Sequence, residues 1–144
     1  MSTITKYTDN QAAHRDLGGR AYRAEVLLDF AANPYSAADV IQVANIPANS
    51  LVTAVMTVVK VAEGATCTGT LGDTTTGADA WDASVNLNAS AGTATRSLEA
   101  TDTNAGAIFY TTAHTINLVL GHDTDAAKFI VVVEYTVLET YAVG

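Results

Sequence analysis

Cysteine is all but missing. Cys67 stands alone in 144 residues, so no disulfide can form within the chain and an oxidising compartment is not implied. Its setting, Ala65-Thr66-Cys67-Thr68-Gly69-Thr70, holds no histidine at an activating spacing, so Cys67 reads as a small buried strand residue rather than a nucleophile. Charge is scarce too. Asp, Glu, Lys and Arg make up 15% of the chain, well below the quarter usual in soluble domains, which leaves Thr, Asn and Ser to cover much of the surface. So weakly charged a coat suits a protein packed against neighbours. Basic residues are the rarer sign, seven against fifteen acids for a net charge of −8, and this argues against a nucleic-acid binder with an overall basic footprint. No apolar run approaches the roughly 20 residues of a spanning helix, and residues 1–19 lack the apolar stretch of a secretory signal. The expectation is a protein made in the cytosol, with neither nucleic acid nor membrane as partner.

The few cations are unevenly placed. Residues 1–23 hold Lys6, Arg15, Arg20 and Arg23 against Asp9 and Asp16, a balance of +2. The rest holds Lys60, Arg96 and Lys128 against thirteen carboxylates, a balance of −10. Either a basic arm reaches for a partner, with Lys6, Arg15, Arg20 and Arg23 as its docking residues, or a short leader carries incidental charge. Residues 1–20 are polar and end near Gly18-Gly19, which predicts an extended N-terminal arm with a flexible joint. Residues 21–144 form a single domain, long enough to bury a core without metal or disulfide staples.

What the chain has in abundance is strand-forming sequence. Tyr22, Ala24, Val26, Leu28 and Phe30 alternate with Arg23, Glu25, Leu27 and Asp29, the period of a strand with one dry face. Asn33-Pro34-Tyr35-Ser36 breaks it. Ser36 and Asp39 could open a short helix as a capping box, but Val40, Ile41, Val43 and the nearby Pro47 favour a strand over 39–46. Residues 51–62 make a long strand, with Val52, Ala54, Met56 and Val58 as its drier face and an opposite face nearly as apolar. Burial on both faces is what covering by another element or subunit produces. Shorter strands are predicted at 66–72, 81–87, 93–99, 107–112 and 115–120. A final strand over 128–138 turns Phe129, Val131, Val133, Tyr135 and Val137 inward. Eight or nine strands spaced by turn signals predict an all-β, antiparallel β-sandwich, jelly-roll-like in class.

Reactive clusters do not stand out. His14, His114 and His122 are scattered, with neither a His-x-His nor a nearby cysteine for zinc. Asp123 and Asp125 could offer carboxylates to Ca²⁺, yet without the EF-hand pattern the same residues fit a hydrophilic hairpin turn. Asp73, Asp79 and Asp82 are a loose acidic set without the fixed separation that glycoside hydrolysis requires. Ser84 and Ser97 lack the G-x-S-x-G context of a hydrolase. Neither a Walker loop nor G-x-G-x-x-G occurs, and Gly69 and Gly72 read as ordinary strand-end glycines. Trp81 leaves a sugar-stacking surface open, against the simpler reading of a core indole. No catalytic residue, cofactor or metal is expected, and the chain reads as a non-enzyme.

The run DVIQVANIPANSLVTAVMTVVKVAEGATCTGTLGD from Asp39, followed by a polar loop, NLNASAGT and a terminal Val-rich strand, resembles small β-rich virion proteins of tailed bacteriophages. Within that group it is most similar to capsid decoration, or cement, proteins. The likeness is carried by the Asn45-Ile46-Pro47-Ala48 turn, the Ala62-Glu63-Gly64 turn, the Gly72-Asp73 strand end and Asn86-Leu87-Asn88-Ala89. It implies a β-sandwich that clamps onto the virion exterior, with the major capsid protein and its own copies (a dimer or trimer) as partners. A tail, fibre or head-closure component of the same architecture, or a carbohydrate-binding sandwich, are the alternative readings.

Overall fold

The structure, a computed structural model, describes residues 2–5, 21–74, 76–97 and 107–138. Ten strands form among them: β1 (Thr3–Thr5), β2 (Ala21–Asp29), β3 (Val40–Ile46), β4 (Ser50–Val61), β5 (Thr68–Gly72), β6 (Asp82–Asn86), β7 (Ala94–Ser97), β8 (Ile108–Tyr110), β9 (His114–Leu120) and β10 (Lys128–Val137). One sheet runs β1-β3-β9-β5-β6. The other runs β2-β10-β4-β7, with β8 also paired to β4. β5 pairs with β6, β4 with β7 and β8, β3 with β9, and β2 with β10, all antiparallel. Each pair is nested within the next, as in one long hairpin rolled into two layers. That is the jelly-roll order, and it bears out the sandwich expected from the strand spacing.

The dry face predicted for β2 is the one used: Ala24, Leu28 and Phe30 are buried, and Tyr22 and Val26 pack against the core. Phe129, Val131, Val133 and Tyr135 of β10 point the same way. The other layer contributes Ile41, Ile46, Leu71, Ile116, Leu118 and Leu120, so the core lies between the sheets.

β4 departs from its simple alternation. Glu134 pairs with Ala54 but Tyr135 with Val52, which leaves Thr53 as an extra residue, and a second shift leaves out Lys60. A bulge of this kind reverses which residues face the core. Val52 therefore points inward, but beyond the bulge Val55 and Val59 do so, joined by buried Thr57. Met56 and Val58, expected on the dry face, lie on the outer one. Ala54 is buried but does not belong to the core between the sheets.

The capping-box residues close a turn instead of opening a helix. The Asp39 amide donates to the Ser36 carbonyl at 3.1 Å, and the Asp39 carboxylate accepts the Ser36 N–H at 3.0 Å. Ala38 takes a positive φ of 70° within this turn, and the chain enters β3 directly. The same carboxylate accepts the Ser2 N–H and hydroxyl, while Val40 donates to the Ser2 carbonyl. This clip lays β1 parallel to β3, so the first residues of the expected arm are a sheet edge. Residues 6–20 of that arm lie outside the described residues.

Candidate partner interface

The acids considered for chemistry are committed to structure. Asp73 is buried, accepts the Tyr110 hydroxyl at 2.5 Å and takes the Gly77 amide on its other oxygen at 3.3 Å. Tyr110 in turn accepts the indole N–H of Trp81 at 3.3 Å. Trp81 is fully buried, so it presents no ring face for a sugar and the core reading holds. Asp82 accepts the Ser97 hydroxyl at 2.9 Å. Asp123 accepts the Ala37 amide at 2.8 Å, which ties two loops together. Asp125 gives its own N–H to Glu63, whose carboxylate also receives the amides of Ala126 and Ala127. Burial works against the Glu63 charge, yet these amides outweigh it and hold the carboxyl below the usual range. Among the described residues, no three His, Cys, Asp or Glu side chains gather closely enough to hold a metal ion.

Cys67 is buried, with Sγ 3.3 Å from the Thr124 hydroxyl, and burial pushes its thiol up, away from the thiolate. Gly69 and Gly72 are tighter than strand ends require. A side chain at Gly72 would collide with the backbone of Gly77 and Ala78.

The outer face of the second sheet is the surface with a different character. Register and pleat place its outward residues in rows across the strands. One row reads Leu27, Ile130, Val58, Ala94; the next reads Glu25, Val132, Met56, Arg96. Leu27 is 57% exposed, and Ile130, Val132, Val58 and Met56 are only partly covered. Arg23 and Arg96 stand beside a shallow hollow of about 340 Å³ floored by Met56, Val58, Val132 and Ala94. Asp29 and Lys128 close one end of the face with a 3.2 Å ion pair, and the Lys128 ammonium holds the Asp29 carboxyl below its usual range. Arg23 lies 4.0 Å from Glu25, both well exposed, where such a pair adds little stability. Of the four cations proposed for docking, Arg23 is thus on a strand of the body, and Lys6, Arg15 and Arg20 lie outside the described residues.

No family model matches the sequence, and no curated protein does. Solved structures do. A chain of the acid-stable capsid of Helicobacter pylori bacteriophage KHP30 matches with a TM-score of 0.63 at 15% identity, over 85% of this chain and 92% of that one. A chain from the capsid of Ralstonia phage GP4 matches with a TM-score of 0.58 at 15% identity, over 87% and 88%. A chain of the cyanophage Pam1 capsid matches with a TM-score of 0.59 at 16% identity, over 85% and 88%. Its fold is one found in phage capsids.

At that identity the likeness is one of fold, and it spans nearly the whole length of both partners. Such a fold needs surfaces more than pockets, and the outer face of the second sheet is the surface that sequence reasoning missed. Its signal was the second apolar face of residues 51–61. Only the bulge at Thr53 assigns Met56 and Val58 to the outside, and only the register brings Leu27, Ile130, Val132 and Arg96 alongside them.

Proposed function

We propose that this chain is a structural component of a phage capsid, a decoration (cement) protein that binds the outside of the head and braces the shell. The observation that carries this reading is the jelly-roll fold shared, over at least 85% of the chain, with chains of three phage capsids. The decoration phage proteins that the sequence resembles supply the finer role. The major capsid protein and further copies of this chain are its partners, and many weak contacts repeated on a lattice sum to strong attachment. No catalytic role is assigned. Asp73, Asp82 and Asp123 are spent on hydrogen bonds, and Trp81 and Cys67 lie in the core. Lys6, Arg15, Arg20 and Arg23 extend the contact to the shell, where an arm that orders on docking adds area at an entropic cost.

The test is reconstitution. The full chain is mixed with mature heads that lack it, and bound copies are counted and imaged. Occupancy of every equivalent lattice position on the outer surface is expected. A few copies at one vertex would assign the chain to the tail or head closure, and no binding would overturn the capsid role. Deleting residues 1–19 should weaken attachment while the body stays folded.

A further inference from the structure

Charge separates the outer face of the second sheet from the rest of the body. On it, Arg23, Arg96 and Lys128 meet Glu25, Asp29 and Glu134 three to three. Elsewhere on the described body, Lys60 alone stands against seven carboxylates. Two copies approaching by any other described surface bring like charges together, whereas this face is neutral and has an apolar centre.

Its layout is also self-complementary. In the row Glu25, Val132, Met56, Arg96, the acid sits on β2 at one margin and the base on β7 at the other, about 14 Å apart at three strand spacings. A two-fold axis lying in the contact plane, near the strand direction and between β10 and β4, turns this row end for end. Glu25 of each copy then faces Arg96 of the other, and Val132 faces Met56. In the next row, Leu27 faces Ala94 and Ile130 faces Val58. Both margins gain opposite charge and the centre loses water. This is the isologous pattern of a two-fold interface, in which one patch must complement itself.

We propose that two copies of this chain pair through the outer faces of their β2-β10-β4-β7 sheets, with Val132 and Met56 at the centre and Glu25–Arg96 contacts at both margins. The proposal names the surface behind the self-association in the function proposed above, and it is measured without any head present, so the two can fail separately.

The experiment is sedimentation equilibrium on the full chain, with circular dichroism as the check of folding. The wild type should be a dimer. Glu25→Arg and Arg96→Glu should each weaken dimerisation at least about tenfold, the scale of one lost charge pair at an interface. The double variant, in which the charges are exchanged, should recover most of that loss. Val132→Asp should give a folded monomer. A monomeric wild type would overturn the proposal, as would a double variant no tighter than the singles. If the wild type is monomeric but Val132→Asp abolishes head binding, the face meets the shell protein instead of a second copy.

Discussion

The Tyr110 hydroxyl donates a 2.5 Å hydrogen bond to the carboxylate of Asp73, 37 residues earlier in the chain. The contact anchors the start of the loop after β5 to β8, and the Trp81 N–H received by the same hydroxyl anchors its end. Tyr110→Phe removes one atom and both hydrogen bonds. With all three residues buried, the expected cost is about 1–3 kcal/mol, or a fall of roughly 2–4 °C in Tm for each kcal/mol at this size. Thermal melting of the variant checks it, and an unchanged midpoint would show that the loop holds without this link.

Glu63 gives the protein an acid-sensitive joint. Its carboxyl sits below the ordinary range of about 4 to 4.5 in the folded state because backbone amides favour the charged form. A lowered folded value contributes stability in full above the unfolded value and loses it as the pH falls through the folded one. Asp39 acts with the same sign: the Ser36 amide, then the Ser2 hydroxyl and amide, hold its carboxyl down. The urea midpoint should therefore decline as the pH drops below about 5. In Glu63→Gln it should start lower at neutral pH and decline less. A variant whose profile overlays that of the wild type would rule Glu63 out as a contributor.

Backbone conformation sets two opposite outcomes. Ala38 holds a φ of 70°, a conformation that costs an L-residue roughly 1–2 kcal/mol, so Ala38→Gly should stabilise by up to about 1 kcal/mol after the added chain entropy. Gly72→Ala should do the reverse and more, because backbone of Gly77 and Ala78 occupies the space of the new methyl group. Chemical denaturation of the pair tests both signs.

The bulge in β4 makes one residue dispensable where its neighbours are not. Removing Thr53 restores a regular ladder with Val52 still inward opposite Tyr135, at the loss of its hydroxyl bond to the Glu134 carbonyl. Removing Thr57 instead turns Val55 outward and puts Met56 inside. The first deletion should fold with a lowered Tm; the second should yield insoluble or unfolded protein. Solubility and far-UV dichroism separate the outcomes.

β2 and β10 were legible because each keeps strict alternation along its length, and the large residues of one face, Phe30, Phe129 and Tyr135, settle the direction. β4 was legible as a strand but not in phase. Both of its faces are apolar, and bulges at Thr53 and Lys60 leave no mark in composition. Ser36 and Asp39 carried correct chemistry and the wrong element, since their reciprocal hydrogen bond closes a tight turn as readily as it caps a helix. β1 escaped notice because three residues cannot show a period, and its pairing depends on Asp39 rather than on its own side chains. The interface was hidden for a related reason: Glu25 and Arg96 are far apart in sequence, and only register sets them in one row.

The nesting of strand pairs has a kinetic side. Once β5 meets β6, the segments leading to β4 and β7 lie close, and each later pairing closes a short remaining loop. The outermost pair, β2 with β10, would otherwise have to close most of the chain at once. Assembly should run from the β5–β6 tip outward, in the slow range of non-local all-β topologies. Stopped-flow refolding would then find that substitutions in β5 retard folding, whereas those in β2 hasten unfolding.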